Sequence, residues 1–143
     1  MFNNILVGYN GTKGGRAALD GAAALAKTLE SKLTALLVRE PFARYSDLPG
    51  EFEGETELAD EHLQRLRSEV VDVASRYGLS IACETRGGRP AKTIIKHADE
   101  GRYDLIVVGH SGHSELWCRL VGDTADRIRD HAHCSVLVVQ AGA

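Results

Sequence analysis

An α/β domain with a mostly parallel sheet is the fold class this sequence predicts, and three observations predict it. Short apolar runs alternate with amphipathic stretches along the whole chain, the order expected of strands and crossover helices. The amphipathic stretches repeat apolar residues every three or four positions, the helical period. Two of the apolar runs are followed at once by glycine and small polar residues, Gly8-Tyr9-Asn10-Gly11-Thr12 and Gly109-His110-Ser111-Gly112. Ligands of an open parallel sheet bind beyond the carboxyl ends of strands, where the strand order reverses. If the first and fourth strands are neighbours, these two loops flank one crevice. The sheet is then a three-layer, five-stranded one of order 3-2-1-4-5.

The elements follow in sequence. Asn4 to Tyr9 reads as a short buried strand around Ile5, Leu6 and Val7. Asn10-Gly11-Thr12 turns the chain, and Thr12 suits an N-cap. The helix after it carries Ala18, Ala22, Leu25 and Leu29 as one stripe. Leu33 to Val38 is the second strand. From Glu40 to Glu57 the pattern breaks around Pro41, Pro49, Gly50 and Gly54, which reads as a long surface connection or binding loop. Leu63, Leu66, Val70, Val73 and Tyr77 mark a long amphipathic helix, with Gly78 at its C′ position. Leu79, Ile81 and Cys83 alternate as a third strand. Gly87-Gly88 turns the chain, Pro90 opens a helix with Ile94, Ile95 and Ala98 inward, and Asp104 to Val108 is the fourth strand. A last helix carries Ala125, Ile128 and Ala132, and Ser135 to Val139 is the fifth strand.

The bulk numbers exclude several classes. The 143 residues suit one domain over 1–143, and 43% apolar with 26% charged residues is ordinary for a globular protein. A net charge of −3 gives no general basic footprint for nucleic acid. No apolar run approaches the roughly 20 residues that span a bilayer. Met1-Phe2-Asn3-Asn4 enters a strand pattern at once with no signal-type core, which predicts a cytoplasmic protein. Cys83, Cys118 and Cys134 have no metal spacing and read as buried free thiols. The six histidines, with His110 and His113 close together and His131 and His133 near the last strand, read as surface or loop residues, since no cysteine or carboxylate completes a ligand set.

Known phosphate motifs fail. There is no Gly-Lys-Ser/Thr, and Gly8, Gly11 and Gly14 lack the dinucleotide spacing. The first strand ends without the acidic residues of a phospho-receiver domain. What remains is the glycine frame itself, which lets a ligand approach backbone N–H groups, and a helix start near Asp123-Thr124 that offers free donors and a partial positive charge.

From Ile5-Leu6-Val7 to Val136-Leu137-Val138-Val139 the sequence resembles the universal stress protein family. The resemblance is strongest in Asp104-Leu105-Ile106-Val107-Val108-Gly109, Ala125-Asp126-Arg127-Ile128 and His131-Ala132-His133-Cys134-Ser135. Gly109, Gly112 and Gly122 keep the spacing of the family's ATP-binding members. The resemblance implies a Rossmann-like fold of the adenine-nucleotide α-hydrolase type and a nucleotide pocket. Gly8 and Asn10 would flank the nucleoside, beside Gly11 and Thr12, and Val38 would touch the adenine. Gly109, His110, Gly112 and His113 would line the phosphates, and Gly122, Asp123 and Thr124 would close the site. It further implies a homodimer paired through the nearly all-apolar strand 135–139, which falls at a sheet edge.

This chain departs from the family at three positions. An acid at the end of the first strand is Asn10, a frequent Arg after the second loop glycine is His113, and the Ser or Thr after the last glycine is Asp123. A carboxylate about 4 Å from a phosphate charge costs on the order of 4 kcal/mol at a near-surface dielectric. A helix N-terminus returns only about 0.3 to 2 kcal/mol. ATP therefore needs relief, from the Thr124 hydroxyl or from a Mg²⁺ ion bridging Asp123 and the phosphates. Trp117 lies inside the same loop as a packing residue or a partner contact. Three functions follow: a regulatory adenine-nucleotide-binding dimer of the stress response, a dimeric interaction protein that binds no ATP, or a slow metal-dependent ATPase or phosphotransferase.

Overall fold

The computed structural model describes residues 1–40, 51–110 and 124–141. Nine elements alternate: β1 (Asn4–Gly8), α1 (Lys13–Leu29), β2 (Lys32–Arg39), α2 (Glu51–Tyr77), β3 (Ala82–Gly87), α3 (Pro90–Glu100), β4 (Leu105–His110), α4 (Thr124–His131) and β5 (Ser135–Gln140). The five strands form one parallel sheet of order β3-β2-β1-β4-β5. The strand order therefore reverses between β1 and β4, as the two glycine loops predict.

The side-chain period of a strand distributes β1 between two cores. Ile5 and Val7 face α1 and α2, with Leu19, Leu37, Leu66 and Val70. Leu6 points the other way, against Leu36, Ile94, Ile106 and Ile128 on the α3 and α4 side. Ile5, Leu6 and Val7 are all fully buried, because both faces of the sheet are covered by helices. Small residues bring α1 close to the sheet: Ala18, Ala22, Ala23 and Ala26 form its buried stripe.

Two elements differ from expectation. β3 begins at Ala82, not near Leu79, and pairs Thr34↔Ala82 through Arg39↔Gly87. Leu79 and Ile81 instead pack into the α1/α2 core as the chain returns from Gly78, which adopts φ +67°. β3 is an edge strand whose Glu84 and Arg86 pair with His97 and Glu100 of α3, and these polar positions hide it from an apolar reading. Glu51–Glu57 is not surface connection but the start of α2. Glu51 and Glu53 fall in the first turn, where acids suit the positive end of a helix, and the glutamates at 51, 53, 55 and 57 leave the sequence no apolar stripe. The rest of that segment, 41–50, lies outside the described residues.

The described cysteines are only partly buried. Cys83 and Cys134 are free thiols, and desolvation raises both above the usual thiol range. Cys118 lies outside the described residues. His97 departs from the expected surface placement: it is buried, stacks on Tyr103 at 5.8 Å and meets Glu84 through Nε2 at 2.5 Å. Among the described residues no helix is long and apolar enough to cross a membrane.

Candidate functional site

The crevice beyond β1 and β4 opens into a cavity of about 750 Å³. Its floor is apolar, from Leu36 and Val38 of β2, Val108 of β4 and Ile94 of α3. Gly8, Asn10 and Thr12 form the β1 side, Gly109 the β4 side, and Thr124, the first residue of α4, the far wall.

The β1–α1 turn is built by local hydrogen bonds. Thr12 takes extended backbone, and its Oγ1 accepts from the Gly15 N–H at 3.1 Å, so it is the N-cap its sequence suggests. Asn10 Oδ1 accepts from the Thr12 N–H at 3.1 Å and from Thr12 Oγ1 at 2.7 Å. Gly11 stands at φ +79°, and a Cβ there would lie 2.7 Å from Leu66 Cδ2. Only glycine meets both conditions.

Gly109 has a different reason to be glycine from the one the loop spacing suggests. A Cβ on it would lie 1.8 Å from the Gly14 carbonyl oxygen and 2.2 Å from the carbonyl carbon. The first turn of α1 rests directly on β4, backbone against backbone. The glycine is required by helix–strand packing whether or not a ligand is present.

Of the residues proposed for the site, Gly8, Asn10, Thr12, Val38, Gly109 and Thr124 line this cavity. Gly11 lies in the turn and His110 at the end of β4, both off the wall. Gly112, His113, Gly122 and Asp123, with Trp117, lie outside the described residues. One wall has no counterpart in the sequence reading: Leu58, Ala59, His62, Leu63 and Leu66 of α2 close the cavity from above. Their three- and four-residue spacing was visible, but it signals a buried face without saying that the face meets a cavity. Arg39 reaches the same region and is held by Asp60 at 3.1 Å, and His62 Nδ1 stands 2.9 Å from Arg65.

Tyr9 ties α2 to the end of β1. It is 3% exposed, and its hydroxyl donates to Glu69 Oε1 at 2.7 Å, with Arg16 3.8 Å from the other carboxylate oxygen. Burial first, and then the Glu69 carboxylate, push the phenol up to about 12. The folded pKa lies above the unfolded value near 10, so this contribution to stability is complete below pH 10 and is lost as pH rises through 12. Stability followed by denaturant unfolding is expected to fall across that window, and Tyr9→Phe to remove the fall. An identical fall in Tyr9→Phe would assign it to another group.

The comparisons agree with this geometry. The universal stress protein family matches residues 1–140. A universal stress protein of Methanocaldococcus jannaschii is 31% identical over 142 residues, covering 98% of this chain and 83% of that protein. The universal stress protein UspA from Lactobacillus plantarum superposes with a TM-score of 0.78 at 27% identity, over 96% of this chain and 97% of its own. A universal stress protein crystallised in complex with cAMP superposes with a TM-score of 0.77 at 23% identity, over 99% and 98%, a likeness of fold. With the fold, the crevice and the sequence in accord, this chain belongs to the universal stress protein family.

Proposed function

We propose that the chain is a regulatory adenine-nucleotide-binding domain, spanning 1–143, that acts as a homodimer in the stress response. One observation carries the reading: an open, mostly apolar cavity of about 750 Å³ sits at the strand-order reversal. That size falls within the roughly 300 to 1,000 Å³ typical of small-molecule sites, and the place is where open α/β sheets bind ligands. The apolar floor around Val38 suits a flat base, and the polar wall of Asn10, Thr12 and Thr124 suits a sugar and phosphate. The cAMP carried by a neighbour of the same fold supports the adenine class.

The resemblance of Gly109, Gly112 and Gly122 to the pattern of the family's ATP-binding members implies ATP as the form bound, and Asp123 would hold a Mg²⁺ ion that offsets its charge against the phosphates. Filling the cavity would act by changing partner contacts, since α2 forms its roof and α4 begins at its wall.

A thermal-shift titration of the full chain with AMP, cAMP and ATP, each with and without Mg²⁺, tests this. A ligand at 100 times its Kd stabilises by about 2.7 kcal/mol, which raises Tm by roughly 8 °C for a chain of this size. A shift with ATP only when Mg²⁺ is present would support the Asp123 bridge. No shift with any of the three would overturn the reading.

A further inference from the structure

Among the described residues, the α2 wall of the cavity is apolar but for one side chain. Leu58, Ala59, Leu63 and Leu66 are hydrocarbon, and His62 stands among them. Positions three and four apart share one face of a helix, so the same spacing that buries Ala59 and Leu66 also brings the exposed His62 ring to the cavity.

Arg65 distinguishes the two nitrogens of that ring. Its Nη2 stands 2.9 Å from His62 Nδ1, three residues along the helix, where side chains meet. A guanidinium has five N–H donors and no acceptor. Nδ1 therefore accepts, and the proton of the neutral ring is on Nε2. Among the described residues Nε2 has no partner.

The rest of the cavity says what this donor meets. The Arg39–Asp60 pair at 3.1 Å joins the end of β2, one residue after Val38, to α2 two residues before His62. His62 thus belongs with the apolar floor that suits a base. The polar groups that suit sugar and phosphate lie on the β1 turn and at the start of α4. A few placed polar groups in an apolar pocket set orientation and specificity. Arg39 is committed to Asp60, so the neutral donor left at this part of the wall is His62 Nε2–H.

We propose that His62 is a specificity-determining residue, whose Nε2–H donates to a ring nitrogen of the bound base. The proposal rests on the adenine-nucleotide reading above. Adenine offers N1, N3 and N7 as acceptors. A base that brings an N–H to the same place sets donor against donor and is disfavoured. Arg65 acts as a positioning residue, since its bond to Nδ1 fixes which nitrogen carries the proton.

His62→Phe tests it, because the variant keeps an aromatic ring and loses the nitrogens. At this exposed position Tm should stay within about 2 °C of the parent. Calorimetry should show AMP binding about 10-fold weaker, the effect of one lost hydrogen bond. In 1-deaza-, 3-deaza- and 7-deaza-AMP one acceptor nitrogen is replaced by C–H. One of the three should bind the parent chain about 10-fold more weakly than AMP and be indifferent to His62→Phe. Equal AMP binding by parent and variant would overturn the proposal alone, since binding by the parent leaves the nucleotide reading standing. An equal loss with AMP and all three analogues, or analogues that all bind the parent as AMP does, would also overturn it alone. Failure of the parent chain to bind AMP would overturn both readings. The ¹⁵N resonances of the His62 ring in the parent chain give a second readout. Nε2 should carry the proton in the free chain and move on saturation with AMP. A proton on Nδ1, or an unmoved Nε2, would contradict the proposal.

Discussion

Gly109→Ala is expected to destabilise the protein by about 3 kcal/mol or more, the upper end of what overpacking a core costs. The added methyl would stand 1.8 Å from the Gly14 carbonyl oxygen. A clash with a side chain can be relieved by a rotamer change, but this one is with backbone in the first turn of a helix. Relief would require α1 to lift from β4. Ala18, Leu19 and Ala22, on the buried face of α1, would lose contact with the sheet in proportion. Urea unfolding should show the loss in the midpoint, at an unchanged slope, and Tm should drop by roughly 10 °C. Gly78→Ala is the useful contrast. Gly78 also demands glycine, through φ +67°, but a Cβ there meets nothing within 4 Å. Its cost should be limited to the left-handed strain of about 1 to 2 kcal/mol. Equal stability of Gly109→Ala and the parent chain would return Gly109 to a purely ligand-facing role.

Leu137→Lys is expected to convert the proposed dimer to monomer. β5 is the edge of the sheet beside β4, and its apolar residues are only half covered, with Leu137 40% exposed. The Ala141 N–H bonds to the His110 carbonyl of β4. Strand alternation then turns the backbone groups of Val136, Val138 and Gln140 outward. A row of outward N–H and C=O groups beside exposed leucine is an edge that pairs. A lysine within the paired strand leaves a charge at a desolvated seam, worth about 3 kcal/mol and a factor of roughly 100 in Kd. As an exposed position in the monomer, it should change folding stability by only about 0.5 kcal/mol. Sedimentation equilibrium reads the masses. A monomeric parent chain, or a variant that stays dimeric, would remove β5 as the interface.

The sheet was legible because its signals were redundant. Ile5-Leu6-Val7 and Leu105-Ile106-Val107 are apolar on both faces, and the loops after them named the reversal point. β3 was misplaced by about three residues because an edge strand needs only one buried face, and Glu84 and Arg86 interrupt its pattern. The first turns of α2 were read as loop because Glu51 to Glu57 carry charge where a stripe would show. Within the site, Gly8, Asn10, Thr12, Val38, Gly109 and Thr124 could be named from position after a strand or before a helix. The α2 wall could not, since Leu58, Leu63 and Leu66 have the spacing of any core-facing helix. Nor could the sequence distinguish why Gly109 is glycine: contact with Gly14, 95 positions away, is a property of the folded chain alone. The direction of the Asn10 amide belongs to the same class, because it depends on how Thr12 closes the turn.

The central claim is that an adenine nucleotide occupies the cavity between the ends of β1 and β4. Backbone amide shifts of the full chain titrated with AMP test it most directly. The account predicts saturable shifts concentrated at Gly8, Asn10, Val38, Gly109 and Thr124, with α2 residues Ala59 and Leu63 moving alongside them. An unchanged spectrum at millimolar AMP, or shifts gathered away from this crevice, would contradict it.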